Sequence, residues 1–207
     1  MDIRNEILEP EVFYHIYNRG INSEKIFDSK ENYLFFLRKF TTYVNPVCDV
    51  YAYCLMPNHF HFIIKVKSEL EIKNFSKVST FTKDDLGKQE KGLHSFDSIV
   101  SKQIGKFISS YSQAYNKVTN RHGALLESPF KRKRIVTEEY LKNLIIYIHL
   151  NPTELKQEID KYQFSSFSSI LSHFKTNLKR TETIAIFGDL ENFIYSHNHP
   201  QKFNFDF

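Results

Sequence analysis

The stretch Tyr53–Val66, reading YCLMPNHFHFIIKV, limits what this chain can fold into more than any other. It is an extended run that carries His59 and His61 one residue apart. In a strand, residues two apart share a face, so both imidazoles project to one side while Phe60 and Phe62 project to the other. One face can therefore hold a metal ion while its reverse packs a core. A half-buried strand whose histidines merely face solvent would carry the same pattern, and the pair alone does not separate the two readings.

The rest of the chain places this stretch in an α+β domain. Glu11–Asn18 reads as a first strand, closed by Asn18, Arg19 and Gly20. Asp28 or Ser29 can cap a helix over Lys30–Tyr43, where Tyr33, Leu34, Leu37 and Phe40 recur at helical spacing. Cys48–Leu55 is a second strand, joined to the histidine strand through Pro57 and Asn58 as a hairpin. Ser68–Ser95 is polar and Lys-rich, including Lys83, Asp84, Asp85, Gly87 and Lys88, and reads as a loop with room for a short helix. Asp97 can cap a long helix from Ile99 to about Asn120, a fourth strand spans about Phe130–Val136, and Thr137 opens a helix that runs through Leu150 to Asn151 and Pro152.

This order is the ferredoxin-like split β-α-β-β-α-β arrangement, an antiparallel sheet with helices on one face and the other face open to a ligand, followed by one appended helix. Beyond it, Phe164–Leu171, Glu182–Phe187 and Leu190–His197 suggest short helices covering part of the same domain. The expected division is a core of residues 1–152 and a helical extension of residues 153–207 packed upon it. No linker and no internal repeat argues for more.

Composition sets outer bounds. Hydrophobic residues make up 41% of 207 and charged residues 25%, enough apolar material for one well-cored domain and too much for a disordered one. A net charge of +4 permits a nucleic-acid partner without requiring one, so clusters of basic residues matter more than the total. The two cysteines, Cys48 and Cys54, supply no disulfide framework and no Cys-based zinc site, which suits a reducing compartment. MDIRNEILEPEVF lacks the apolar core of a signal peptide and no run reaches membrane-spanning length, so a cytoplasmic protein without a membrane partner is expected.

On the appended helix, Tyr147 and Asn151 lie four residues apart and share a face. Tyr147 offers a hydroxyl nucleophile and Asn151 a carbonyl oxygen for a metal. Alone, a tyrosine on an apolar helix is core and an asparagine before proline is a helix stop. The basic run Lys131, Arg132, Lys133, Arg134 falls in the fourth strand, so alternate members face opposite sides; phosphate contacts and protection of an edge strand would look alike. Arg19, Lys65, Lys67 and Arg121 can extend the basic surface, and Tyr17 and Phe60 could stack on unpaired bases.

Taken together, FYHIYNRG, YAYCLMPNHFHFII, SSYSQAYNKVTNRHG, SPFKRKRI and LIIYIHLNP, with weaker echoes in FSSFSSI and IFGDLENFIYSH, resemble the single-tyrosine HUH transposases, above all the REP-associated tyrosine transposases. The resemblance spans most of the chain from Phe13 to His197, and MPNHFH and YIHLNP are its specific motifs. It implies that His59 and His61 bind a divalent ion, Mg²⁺ or Mn²⁺, and that Tyr147 is the nucleophile. Asn151 falls where relatives place a metal-binding Gln one methylene longer, and Pro129 where relatives often show an Arg before the Phe; if that Arg contacts phosphate, Lys131, Arg132 or Arg134 must replace it.

The implied activity is metal-dependent cleavage and rejoining of single-stranded DNA, with a 5′-phosphotyrosine link and a released 3′-hydroxyl. The implied partner is single-stranded or hairpin DNA. Relatives include monomers and dimers that share active sites; the sequence does not choose between them, and the resemblance leans toward a homodimer. Two rivals stand beside this reading: a transposase-derived DNA-binding regulator without chemistry, favoured by Asn151 and Pro129, and a ferredoxin-like enzyme or RNA binder using the open sheet. Tyr111, Tyr115 and Tyr140 are assigned to packing or stacking. His15, His94, His122, His149, His197 and His199 are assigned to structure or surface, His149 pointing away from Tyr147.

Overall fold

A computed structural model describes residues 6–79, 96–201 and 205. Its regular elements run β1 (Phe13–Arg19), α1 (Lys30–Tyr43), β2 (Cys48–Met56), β3 (His59–Val66), α2 (Glu69–Ser79), α3 (Phe96–Thr119), β4 (Lys131–Arg134), α4 (Glu138–Leu150), α5 (Phe167–Leu171), α6 (Arg180–Ile186) and α7 (Leu190–Asn198). The strands form one antiparallel sheet in the order β2-β3-β1-β4.

The β2–β3 hairpin is closed by Pro57 and Asn58, with Met56 opposite His59. Its tip is held from outside: the Pro57 carbonyl accepts from the Ile26 and Phe27 amides, and the Asn58 carbonyl accepts from the Gly20 amide. Glycine is needed at position 20 for the tight turn that follows it, since a Cβ there would lie 2.1 Å from the Glu24 carbonyl oxygen and the turn would have to shift.

Period-two alternation gives the sheet two unlike faces. Phe60, Phe62 and Ile64 of β3, with Tyr14 and Ile16 of β1, are buried beneath α1 and α3, where they meet Phe36, Phe40, Ile104, Phe107 and Tyr111. The Phe40 and Phe62 rings stack with centroids 4.0 Å apart. Phe60 is therefore core and not a platform for bases, in contrast to the stacking role suggested by its aromatic type. Tyr17 is also buried.

The opposite face is not open. Leu141, Leu144, Ile145 and Ile148 of α4 pack with Ala52, Cys54, Met56 and Ile63 of the sheet, and Phe167, Ile170, Phe187 and Phe193 of α5, α6 and α7 complete this second core. The predominantly apolar run LIIYIHL is too hydrophobic to stay at the edge of a one-sided sheet, and burying it closes the face expected to be free.

Helix boundaries follow local chemistry. The Asn32 carboxamide oxygen accepts from the Asp28 and Ser29 amides at the start of α1, and Thr137 Oγ1 accepts from the Tyr140 amide at the start of α4. Asn151 and Pro152 do not stop the chain abruptly; they begin a 3₁₀ turn, Asn151–Leu155, which ends at Lys156 in the left-handed region. The polar segment after β3 begins with an eleven-residue helix, while Lys83, Asp84, Asp85, Gly87, Lys88 and His94 lie outside the described residues. The fourth strand is shorter than the sequence suggests, because Val136 turns away into solvent. Among the described residues, no helix is long and apolar enough to cross a membrane.

Candidate active site

The histidines stand at the end of β3 nearest the hairpin turn. Across the sheet, Arg19 lies opposite His59 and Tyr17 opposite His61 on β1, with Met56 and Cys54 opposite them on β2. From β4, Lys131 lies beside Tyr17 and Lys133 beside His15. Facing residues in an antiparallel pair share a side, so His59, His61, Tyr17, Arg19, Lys131 and Lys133 belong to one face.

α4 lies across this face and ends over the histidines. The His61 and Tyr147 ring centroids are 5.9 Å apart with planes nearly perpendicular, and those of His59 and His61 are 5.1 Å apart. Asn151 Nδ2 donates to the Tyr147 carbonyl one turn back, at 2.9 Å. That bond aims Asn151 Oδ1 outward, 3.3 Å from His59 Nε2. Tyr147, His59, His61 and Asn151 are thus brought into one cluster by a strand and a helix ninety residues apart in sequence.

Hydrogen bonding orients the imidazoles. His59 lies between two acceptors, Asn58 Oδ1 at 2.7 Å from Nδ1 and Asn151 Oδ1 at 3.3 Å from Nε2; a neutral ring donates to one of them, and the shorter contact favours the proton on Nδ1, which turns the Nε2 lone pair toward Asn151 Oδ1. Two facing acceptors repel, and a cation between them removes the repulsion. Their 3.3 Å separation is close to the ~3 Å between adjacent ligands of an octahedral ion with bonds of about 2.1 Å. His61 Nδ1 is 2.8 Å from His15 Nε2, so His61 would hold an ion through Nε2 while donating its other N–H to His15. These residues fit a divalent ion bound in part by its substrate. The described residues contain no group of three His, Cys, Asp or Glu able to hold a metal by themselves.

Burial sets the charge states. Desolvation pulls His59 below its usual range, offset in part by Asn151 and by the Glu154 charge. His61 is driven well below it by burial and by His15 and His59, and His15 falls to about 3 through burial and the Lys133 charge. All three are neutral at neutral pH, the state metal ligation needs. Burial raises Tyr147 above the ordinary phenol value, as does Glu154, while a hydrogen bond from Asn151 favours the phenolate.

The remaining expected residues divide by face. Lys131 pairs with Glu127 at 2.9 Å, and Arg19 reaches the same carboxylate at 3.9 Å and Ser23 Oγ at 2.7 Å. Lys133 lies over the Tyr140 ring. Arg132 and Arg134 project to the helix side, where Arg132 donates to Ser101 Oγ and Arg134 pairs with Glu9, and Arg121 pairs with Glu24. Lys67 pairs with Asp49 and Lys65 lies over Phe13. Tyr111 and Tyr115 are sealed in the α1–α3 core, their hydroxyls donating to the Ile26 carbonyl and to Asp28. Tyr140 lies on the same side as Tyr147, both meeting the Phe205 ring.

Two contributors escaped sequence reasoning. His15 contacts His61, a pairing set by strand register that neither local sequence reveals. Glu154 follows Tyr147 by seven residues and Asn151 by three, so the same helical spacing that joined those two could have included it.

The fold is thus α+β, with a four-stranded antiparallel sheet between two helical layers. A solved structure described as a REP-associated tyrosine transposase bound to a REP hairpin is similar in fold, with a TM-score of 0.52 over 84% of this chain and 86% of that one, at 12% identity. No family model matches the chain. No curated protein matches it either.

Proposed function

We propose that this chain cleaves and rejoins single-stranded DNA, on hairpin or repeat substrates, with Tyr147 as nucleophile. The observation that carries the reading is convergence: the phenol of Tyr147, the carboxamide of Asn151 and the imidazoles of His59 and His61 meet at the end of β3. The strand order and the appended helix support a ferredoxin-like core, residues 1–152, with residues 153–207 as an extension packed on it. The fold likeness to a transposase structure supports the same class.

In this reading His59, His61 and Asn151 hold Mg²⁺ or Mn²⁺, which would polarise the scissile phosphate and offset charge developing on it. The chain's own groups do the rest. Arg19, beside His59 in the sheet, and Lys131 stand at the rim where a phosphate would enter, sharing Glu127 as a counter-charge that a phosphate can displace. His15 holds the His61 ring in one tautomer. Asn151 lowers the cost of ionising a phenol that burial otherwise keeps protonated. The Tyr147 oxygen bonds to phosphorus, the bond from phosphorus to the 3′ oxygen breaks, and the phenolic proton is balanced by the proton that oxygen takes up. Attack by a second 3′-hydroxyl reverses each change and rejoins strands without an external energy source.

The test is incubation of the full chain with labelled DNA hairpins carrying single-stranded flanks, with Mn²⁺, Mg²⁺ or chelator, beside Tyr147→Phe. A covalent protein–DNA band that needs metal and is lost in the variant is expected. DNA binding with no such band would favour the regulator, a reading supported by the two-imidazole donor set and the burial of Tyr147.

A further inference from the structure

Away from the histidine face, α1 and α3 enclose an open groove of about 920 Å³. Lys39, Lys102, Lys106 and Lys117 line it, with Phe35 and Tyr43 on the α1 wall, and no acidic side chain is among its lining residues. None of these four lysines forms an ion pair with another described residue. Lys39 instead lies over the Phe35 ring, 5.2 Å from its centroid. Several basic side chains elsewhere are matched, as Arg121 is with Glu24 and Arg134 with Glu9. Four cations without an ion-pair partner among the described residues, gathered on one concave surface, repel one another, and an anion that joins them relieves this.

Spacing along α3 matches an extended partner. Lys102, Lys106, Ser109, Gln113 and Lys117 recur every three or four residues, forming one stripe that follows about 22 Å of helix. Lysine supplies charge and serine and glutamine supply hydrogen bonds, the mixture that phosphate and sugar contacts use.

Gly105 is the second, independent observation. It sits in the interior of a 24-residue helix, where glycine is unfavourable compared with alanine, yet among the described residues nothing lies within 4 Å of a Cβ placed there. Packing among the described residues does not require it. The missing side chain leaves the groove floor open to close approach by a bound molecule.

A second cavity adjoins the groove on the side of the candidate active site. Its volume is about 420 Å³, and it shares Gly105, Ser109 and Gln113 with the groove and runs past Ser128 and Pro129 to Asn18 and Glu127. Glu127 is the carboxylate that Lys131 and Arg19 share at the rim beside His59. By contrast, the 490 Å³ cleft near the start of α4 is lined by Phe13, Tyr51 and Leu141 with Glu138 and Glu182, an apolar and acidic surface unsuited to phosphate.

We infer that the α1–α3 groove is a second DNA-backbone site, which holds the strand leading around the edge of the sheet to Tyr147. This rests on the reading of the chain as a DNA-acting protein and extends it to a surface that the histidine and tyrosine motifs do not include. Lys102, Lys106 and Lys117 contact phosphates along the α3 stripe, Gly105 lets the backbone lie against the helix, and Ser109 and Gln113 guide it into the connecting cavity.

The test is equilibrium binding of a fluorescein-labelled DNA hairpin with a single-stranded extension, in chelator, over a range of salt. The full chain is compared with a Lys102→Gln/Lys106→Gln/Lys117→Gln variant, with Gly105→Glu and with Gly105→Ala, thermal unfolding being used to confirm that each is folded. The triple variant is expected to bind at least tenfold more weakly and to lose about one unit of salt slope for each lysine that meets a phosphate. Gly105→Glu should weaken binding to a similar degree, and Gly105→Ala much less. Unchanged affinity and slope in folded triple and Gly105→Glu variants would overturn the groove while leaving the chemistry of Tyr147 untouched. A wild-type chain that binds no DNA would overturn the functional reading and the groove together. Self-association that needs the three lysines while DNA binding does not would also overturn it, assigning the groove to contact between copies.

Discussion

Two pairs of buried imidazoles touch in this molecule at nearly the same distance, His61 with His15 at 2.8 Å and His149 with His197 at 2.9 Å. Their surroundings give them different capacities. In the second pair every end is closed: His197 Nδ1 donates to the Phe193 carbonyl, its Nε2 accepts from His149, and His149 Nε2 accepts from Ser166 Oγ. Ser166 in turn accepts from the Tyr53 amide. This chain ties α4, α7 and β2 together and leaves no nitrogen for a ligand. The first pair adjoins His59, whose Nε2 faces an oxygen lone pair, and a tyrosine that is only partly covered. Whether a buried histidine pair is sealed or left able to bind depends on what terminates its hydrogen bonds, and burial alone does not distinguish the two.

The largest expected separation between the pairs is in chemistry. Tyr147→Phe should abolish the covalent DNA adduct while leaving thermal stability nearly unchanged, measured by denaturing gel and by calorimetry. Asn151→Ala should lower the rate of adduct formation by about 10- to 100-fold and raise the Mn²⁺ concentration required, since it removes a candidate ligand and the hydrogen bond that favours the phenolate.

The sealed pair should respond in stability instead. His197→Phe leaves the His149 Nδ1–H without its acceptor in a buried site, and a loss of about 2–3 kcal/mol is expected by urea denaturation, with adduct formation per folded molecule retained. The pH dependence has a definite sign. Burial holds His197 at about 4 in the native protein, against about 6.5 in an unfolded chain. Between these values the unfolded state binds a proton that the native state refuses. This contribution is therefore fully present above about pH 6.5 and declines as the pH falls toward 4, by up to about 1.4 kcal/mol per pH unit. Denaturation at pH 7, 6 and 5 should show the decline, and His197→Phe should make it shallower. The smallest change is Ser166→Ala, which removes a partner from both His149 and the Tyr53 amide and should cost about 1–2 kcal/mol.

Much of this contrast was hidden from the sequence for a definable reason. Local patterns were legible: alternation put Phe60 and Phe62 under α1 and α3, Thr137 marked the start of α4, and spacing of four placed Asn151 beneath Tyr147. What depends on register or on packing between distant elements was not. The pairing of β1 with β3 decides that His15 meets His61, and the docking of α7 on α4 decides that His149 meets His197. The sheet face thought open is covered by α4, because the apolar character of that helix has to be buried somewhere, and the motif drew attention to two of its side chains instead of to its hydrophobic sides. The basic run KRKR divides as strand alternation requires, yet only the packed structure shows that Arg132 and Arg134 are engaged on the helix side.

In the proposed reaction Tyr147, and no other tyrosine, forms the bond to DNA. The most direct test is tandem mass spectrometry of the chain after reaction with Mn²⁺ and a single-stranded hairpin substrate, nuclease trimming and proteolysis. A nucleotide attached through its 5′ phosphate to Tyr147 is expected in the peptide containing LIIYIHLNP. A nucleotide on Tyr140, Tyr111 or Tyr115, or cleaved DNA with no tyrosine modified, would contradict the assignment of Tyr147.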